Sequence, residues 1–310
     1  MGIPLIIDAH THLWEKDWLP EPFWKGLASV IRHMIPSLSE GEVWETVMPS
    51  FWHAPPEELL AEMDEAGIEK AVILPLDWGL RLGEPKVPIE EQNRFFAEVA
   101  RNYSDRFIAF AGVDPRRKNA AELLEKGLGE WGMGGLKLHP TSGFFPNDPV
   151  CYPLYRKCEE YGVPVLIHTG TELPPLLSRF ARPVYVDDVA ADFPDLKIIM
   201  AHMGFGWWEE AMSVAMMKPN VYLDTAAWGN YCEPSTYFYR ALRTICDVVG
   251  SDRVLFGSDW PMTPKPLLSE AGWVDKVRSP PPQVEAAGIR FTSEEIEAIL
   301  GKNAARVLEL

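Results

Sequence analysis

Short apolar runs alternate along this chain with longer stretches in which apolar residues recur at helical spacing. The first run, Ile6-Ile7, leads into Asp8-Ala9-His10-Thr11-His12 and reads as a buried strand. Runs at 70–75, 107–113, 135–140, 163–168, 196–202, 221–225 and 253–259 read the same way. Between them the spacing predicts helices at about 56–67, 89–103, 120–130, 153–161, 184–193, 207–217 and 235–249. A last helix is expected at 293–308, opened by Thr292 or Ser293 with acids in its first turn. Buried strands alternating with helices call for a parallel sheet covered on its outer face. Eight such units in 310 residues fit the α/β class, as a (β/α)8 TIM barrel in a single domain spanning 1–310. A doubly wound open sheet is the alternative, but no GxGxxG follows the first strand.

Two stretches stand outside the alternation. One is an irregular insertion at 14–56, carrying Trp14, Trp18, Phe23, Trp24, Trp44, Phe51 and Trp52. So much apolar surface must pack on something or cover something, as a satellite core or as a lid. The other is a Pro-rich loop at 262–291.

Alternate side chains of a strand share a face, so His10 and His12 present both imidazoles to one point. That is half a site for zinc or another divalent transition metal. The other polar residues at strand ends are Asp8, Lys137, His139, His168, His202 and Asp259; five of the seven histidines lie at C-terminal strand ends. In a barrel those ends converge on one face, and several histidines meeting an aspartate there make a metal site the leading reading. Asp8 is read as a carboxylate that orients a metal-binding histidine, not as a ligand. His33 and His53 are read as surface or packing residues, and 301–306 as helix packing on the barrel foot.

Composition narrows the partners. With 45 acidic against 29 basic side chains the formal charge is −16, which argues against non-specific binding to nucleic acid or an anionic membrane. A local cluster of cations can still take an anionic small molecule. No apolar run is long enough to span a bilayer, and Asp8 breaks the N-terminal run too early for a signal peptide. Cys151, Cys158, Cys232 and Cys246 form no CxxC pair, so reduced packing cysteines in a cytoplasmic protein are expected.

The motifs Asp8-Ala9-His10-Thr11-His12, Gly135-Leu136-Lys137-Leu138-His139-Pro140, Leu166-Ile167-His168, Ala201-His202-Met203-Gly204, Phe256-Gly257-Ser258-Asp259-Trp260-Pro261 and Lys302-Asn303-Ala304-Ala305-Arg306, in this order, resemble the amidohydrolase superfamily. The nearest branch is the one that includes aminocarboxymuconate semialdehyde decarboxylase, aromatic-acid decarboxylases and many hydrolases. The resemblance runs from near residue 6 to the C-terminus, and it carries no signal in the aromatic insertion or in 262–291. It implies that His10, His12, His168 and Asp259 bind one divalent metal, zinc by expectation with manganese or iron as alternatives. It also implies that His202 stands beside the metal as acid/base, and Asp259 has a second role in handling the proton. In other branches a strand-four lysine is carbamylated and bridges two metals, so a binuclear site through Lys137 is the lesser alternative. Otherwise Lys137 binds a substrate anion or makes a structural ion pair. Lys137 and His139, with Trp14, Trp207 and Trp228 as an aromatic wall, are the expected substrate-binding residues for a flat or ring-shaped molecule.

The expected reaction is hydrolysis, with metal-activated water attacking a C–O or C–N bond of a small cyclic or aromatic carbonyl compound. The alternative is non-oxidative decarboxylation of an aromatic or muconate-type acid, and a non-catalytic metal-binding barrel stands third. Some aromatic-acid decarboxylases of the branch carry glutamate at the first histidine. His10-Thr11-His12 departs from that pattern, which weakens a salicylate-type reading and leaves the muconate-semialdehyde type open. The resemblance also implies a homo-oligomer.

Overall fold

The computed structural model describes residues 5–231, 236–262 and 268–310. Eight parallel strands follow one another in chain order: β1 (Ile7–Thr11), β2 (Lys70–Ile73), β3 (Phe107–Ala109, resuming as Ala111–Gly112), β4 (Leu136–Leu138), β5 (Val165–Ile167), β6 (Ile198–Met200), β7 (Val221–Asp224) and β8 (Val254–Leu255). Each pairs in parallel with the next; the first segment of β3 pairs with β2 and the second with β4. The ring closes where Ala9 N–H donates to Phe256 O and Asp259 N–H donates to His10 O, both at 2.9 Å. This is a (β/α)8 barrel.

Helices lie where the apolar spacing placed them, at Pro56–Ala66, Ile89–Asn102, Ala120–Gly129, Tyr152–Tyr161, Val184–Asp192, Trp208–Met217 and Thr236–Val248. Their ends follow local chemistry. Pro56–Ala66 starts on a proline and stops at Gly67, which takes the left-handed φ of 71° that residues with a Cβ resist. The final helix opens with a capping box between Thr292 and Glu295, but a π-helical turn at Ala298–Lys302 interrupts it. Beyond that turn Asn303 donates to Ser251 O and Val254 O at 2.8 and 2.7 Å, fastening the helix to the start of β8.

Both stretches read as irregular contain helices. The insertion holds a 14-residue helix, Glu21–Met34, which buries Phe23, Trp24, Leu27 and Ala28. Antiparallel pairing of Trp14–Glu15 with His53–Ala54 closes the insertion's base. The later loop holds Glu270–Arg278, whose N-cap Ser269 accepts from Gly272 N–H, and a short helix at Pro282–Ala286. Glu270–Arg278 packs on Pro56–Ala66.

Ile7, Ala9, Val72, Leu74, Phe110, Leu166, Ile199, Ala201 and Leu255 form one apolar cluster with Ala304 and Val307 of the last helix. Nearly all of it comes from strands, so it fills the barrel and the last helix plugs one end. The other core cluster lies between the sheet and the helices. Register slips between Asp8 and Thr11 in β1. Such a bulge adds a residue to one strand and changes which side chains face in. Ala9 joins the interior cluster, while the next residue, His10, together with His12, reaches the cavity above it.

Cys151, Cys158 and Cys246 are buried and free, while Cys232 lies outside the described residues. His33 and His53 are exposed, and His53 pairs with Glu15. Among the described residues no helix is long and apolar enough to cross a membrane.

Candidate metal centre

The strand ends surround a pocket lined mostly by buried side chains. His10, His12, Lys137, His139, His168, His202 and Asp259 all line it. Every histidine and acid that the sequence placed at strand ends therefore meets there, except Asp8.

Second partners fix the orientation of the β1 histidines. His10 Nδ1 lies 2.9 Å from Asp224 Oδ2, and His12 Nδ1 lies 2.7 Å from Leu74 O. A carbonyl or carboxylate oxygen accepts, so each ring carries its proton on Nδ1 and keeps a lone pair on Nε2. Both Nε2 atoms turn toward Asp259 Oδ1, at 3.4 Å from His10 and 3.3 Å from His12. Three acceptors crowded together in a buried space repel one another unless positive charge sits among them. Two neutral imidazoles and a carboxylate are a donor set suited to a divalent cation, so these residues fit the group the sequence calls for. Burial raises the Asp259 carboxyl, while the charge of the nearby Lys137 lowers it. Burial and the charge of Lys137 push His10 far below the usual imidazole range, which keeps the ring neutral.

His168, expected as the fourth ligand, stands apart from this trio. Its Nδ1 is 3.0 Å from His202 Nε2, and His202 Nδ1 is 3.1 Å from Ala226 O. Ala226 O accepts from His202 Nδ1–H, so His202 Nε2 accepts from His168 Nδ1–H, which leaves a bare lone pair on His168 Nε2. That atom is buried, makes no hydrogen bond, and lies 3.5 Å from Glu172 Oε2. It is thus a free metal donor, yet it groups with His139 and Glu172 and not with His10, His12 and Asp259. The four-ligand set predicted from sequence is present as three residues together and one beside them.

The backbone at this end of the barrel is strained. His202, Met203 and Asp259 adopt left-handed φ values of 60°, 46° and 69°. For residues with a Cβ this costs about 1–2 kcal/mol each, so neighbours must enforce it. Asp224 Oδ1 accepts the His202 N–H at 2.8 Å, and Trp228 Nε1–H donates to His202 O at 2.5 Å. Asp259 is held by its N–H bond to His10 O. A Cβ on Gly257 would lie 3.0 Å from that of His10, so a side chain there would crowd the first ligand.

Lys137 is fully buried, and its Nζ lies 3.0 Å from His10 Nε2. Burial lowers its pKa to about 8. Among the described residues no carboxylate sits within ion-pair distance of it, which sets aside the structural ion pair. His139 stacks on His168 at 4.1 Å with Nδ1 2.7 Å from Thr141 Oγ1. Asp8 lies behind the site: its Oδ1 accepts from His10 N–H and Ser258 N–H at 2.9 and 3.1 Å, so it positions ligands without joining them.

The three expected wall tryptophans do not line the cavity. Trp14 is buried behind His12 and donates to Phe51 O, Trp228 is buried behind His202, and Trp207 lies under the Arg182 guanidinium. Phe23, Leu76, Trp78 and Met262 form the apolar wall instead. Phe23 comes from the insertion helix and meets the Trp78 ring at 4.6 Å. The sequence reading passed over Asp224, Glu172 and Trp78. Asp224 and Trp78 carry a recoverable signal, since each is a polar or amphipathic residue within a few positions of the C-terminal end of a predicted strand, where Asp8 and Asp259 were recognised.

Comparison with known proteins agrees with this architecture. A curated hydratase of Sphingobium sp., 2-keto-4-carboxy-3-hexenedioate hydratase, is 25% identical over 82% of this chain and 83% of its own length. The 2-amino-3-carboxymuconate-6-semialdehyde decarboxylase of Dictyostelium discoideum is 23% identical over 99% of this chain and 92% of its own. The crystal structure of 5-carboxyvanillate decarboxylase from Sphingomonas paucimobilis superposes with a TM-score of 0.67 at 17% identity, covering 99% of this chain and 100% of that one. The amidohydrolase family model matches residues 7–310, and the chain belongs to that family.

Proposed function

We propose that this enzyme is a metal-dependent lyase that removes CO2 without oxidation from a small unsaturated or aromatic carboxylic acid. The observation that carries this reading is the lining of the pocket: an apolar wall of Phe23, Leu76, Trp78 and Met262, with one buried cation, Lys137, beside the histidines. A partly desolvated lining of this kind favours the transition state for CO2 loss, in which the carboxylate's charge is spread over the organic group. The Dictyostelium decarboxylase relative supports this reading, and addition of water to a double bond is the second reading, favoured by the Sphingobium relative.

His10, His12 and Asp259 are the proposed holders of a single divalent cation, with His168 as the fourth by resemblance; zinc is expected, and manganese or iron also suit this donor set. When bound, such a cation supplies positive charge that draws electrons from substrate oxygens. Lys137 is placed to bind the acid's oxygens. The C–C bond to the carboxylate breaks, its electron pair stays on carbon, and that carbon takes up a proton. His202 lies against both His168 and the His10 ring, 4.9 Å away between centroids, and is the proposed group that moves this proton. Burial keeps the ring neutral, so its Nε2 must release its bond from His168 and take up a proton, with Glu172 as the source, before passing it to carbon. Glu172, which burial raises to about 7, is this proton reservoir on the cavity wall.

The test is a substrate screen with protein loaded with Zn2+ or Mn2+. Release of CO2 from unsaturated or aromatic acids is expected. Opening of lactones, esters or amides with neither CO2 release nor hydration would overturn the lyase reading.

A further inference from the structure

We infer that Trp78 is a specificity-determining residue whose indole N–H binds a second oxygen-bearing group of the substrate, so that the enzyme selects an acid carrying two such groups over its mono-acid counterpart. The inference rests on the reading of the site as one for a small unsaturated carboxylic acid.

Trp78 lines the pocket and is 3% exposed, yet among the described residues its Nε1–H has no hydrogen-bond partner. Four other buried indoles find one: Trp14 donates to Phe51 O, Trp24 to Lys16 O, Trp228 to His202 O and Trp273 to Gly257 O. Trp52 shares the lack, but it lies in the insertion under Lys16 and does not line the pocket. An orphaned buried donor costs about 1–3 kcal/mol, so its retention on a cavity wall implies an acceptor that arrives from outside. The indole is also held in place. Phe23 meets one side at 4.6 Å, the His139 ring meets it edge-on at 5.0 Å, and the preceding residue, Asp77, is locked to Arg117 through two hydrogen bonds at 2.6 and 2.7 Å. A donor fixed this firmly discriminates by geometry, because an analogue lacking the matching oxygen leaves it unpaired.

The wall is continuous from this donor to the cation site. From Trp78 it passes through His139, then His168 at 4.1 Å, His202 at 4.7 Å and His10 at 4.9 Å, ring to ring, and ends at Lys137. A substrate with one carboxylate near Lys137 and His10 lies along this arc with its far end toward Trp78. Among the described residues no carboxylate side chain of the pocket pairs with the indole, and Glu172, on the adjoining wall, faces His139 and His168. The far group is therefore an acceptor: a second carboxylate or a conjugated carbonyl.

The experiment uses two matched pairs, crotonate with fumarate and sorbate with trans,trans-muconate, in which a methyl group is replaced by a carboxylate. Binding to the full-length metal-loaded protein is measured by calorimetry, and the indole N–H is followed by 15N NMR with the Trp78 signal assigned through Trp78→Phe. At least one diacid is expected to bind about tenfold more tightly than its mono-acid, shifting the Trp78 N–H resonance downfield. Trp78→Phe, which keeps an aromatic ring and removes the donor, is expected to shrink that ratio below about threefold. A diacid preference that survives in Trp78→Phe, or no preference in the wild type, overturns the assignment alone. If none of the four acids binds, the carboxylic-acid reading of the site falls, and the assignment of Trp78 falls with it.

Discussion

Asp224 takes the Nδ1–H of His10 at 2.9 Å, with both side chains fully buried at the end of the barrel. The same carboxylate accepts the backbone N–H groups of His202 and Ala226 at 2.8 and 3.0 Å. One side chain thus sets the tautomer of a candidate ligand and the backbone of the candidate proton carrier. Asp224→Ala is expected to weaken metal binding by about 10–100-fold, in the range seen when such supporting partners are lost. Competition against a chelating dye measures this, and unchanged affinity would show that His10 needs no carboxylate behind it.

His202 provides the contrasting case. It touches His168 and stands beside His10, but it is absent from the group formed by His10, His12 and Asp259. His202→Ala is expected to keep one metal per chain and to lower turnover by about 10²–10⁴-fold, the usual worth of a positioned proton-transfer group. Metal analysis by mass spectrometry alongside the CO2 assay separates the two roles. Loss of the metal in this variant would place His202 among the ligands.

The barrel was legible in the sequence because its strands are buried on both faces and read as unbroken apolar runs, and its helices repeat at 3.6 residues. The histidines were legible for a related reason: each ends such a run, as His168 does after Leu166-Ile167. Two things stayed hidden. The insertion helix was masked because its buried residues, Phe23, Trp24, Leu27 and Ala28, sit in an aromatic-rich stretch whose spacing was not read as a period. The cavity wall was misassigned because which tryptophan faces inward depends on loop paths. Trp14 follows His12 by two residues but turns back to Phe51 O, whereas Trp78 lies four residues past Leu74 and reaches the site.

Beneath Trp78 the Asp77 carboxylate is almost wholly buried and is bridged to Arg117, which also holds Glu84 at 2.9 Å. Removing one partner of a buried pair leaves an uncompensated charge, at a cost of about 3–5 kcal/mol. Arg117 is itself part exposed, so Arg117→Ala is expected near the lower end, about 3 kcal/mol. Urea titration monitored by circular dichroism gives the value; a shift below about 0.5 kcal/mol, as for an ordinary surface change, would refute the role of this pair.

Glu295 links the cap of the last helix to Arg243, whose guanidinium it meets at 2.8 and 2.9 Å. The hydrogen bond from Arg243 holds the Glu295 carboxyl below its ordinary value of 4.5. A carboxyl lowered on folding stabilises the protein when ionised: the contribution is complete above the unfolded value and disappears as pH falls through the folded one. The stability difference between wild type and Glu295→Gln is therefore expected to be constant from neutral pH down to about 4.5 and to close below it. Denaturant midpoints measured across this range test the sign. A gap that widens on acidification would reverse it.

Lys137 decides between one metal and two. Its Nζ approaches His10 Nε2 at 3.0 Å, and the cavity holds it without a carboxylate partner among the described residues. A lysine that bridges two cations must become an anion, whereas one that binds the acid's oxygens must stay an ammonium or a neutral donor. The metal-binding group next to it, His10, His12 and Asp259, is complete without the lysine. We therefore expect one equivalent of metal per chain in both wild type and Lys137→Ala. The variant should show a raised KM for acidic substrates, by about 10–100-fold, the loss of a charge-assisted hydrogen bond of about 1.5–3 kcal/mol. Metal content of dialysed protein and steady-state kinetics test this together. Two equivalents in the wild type, falling to one or none in Lys137→Ala, would establish a bridging lysine and a binuclear centre.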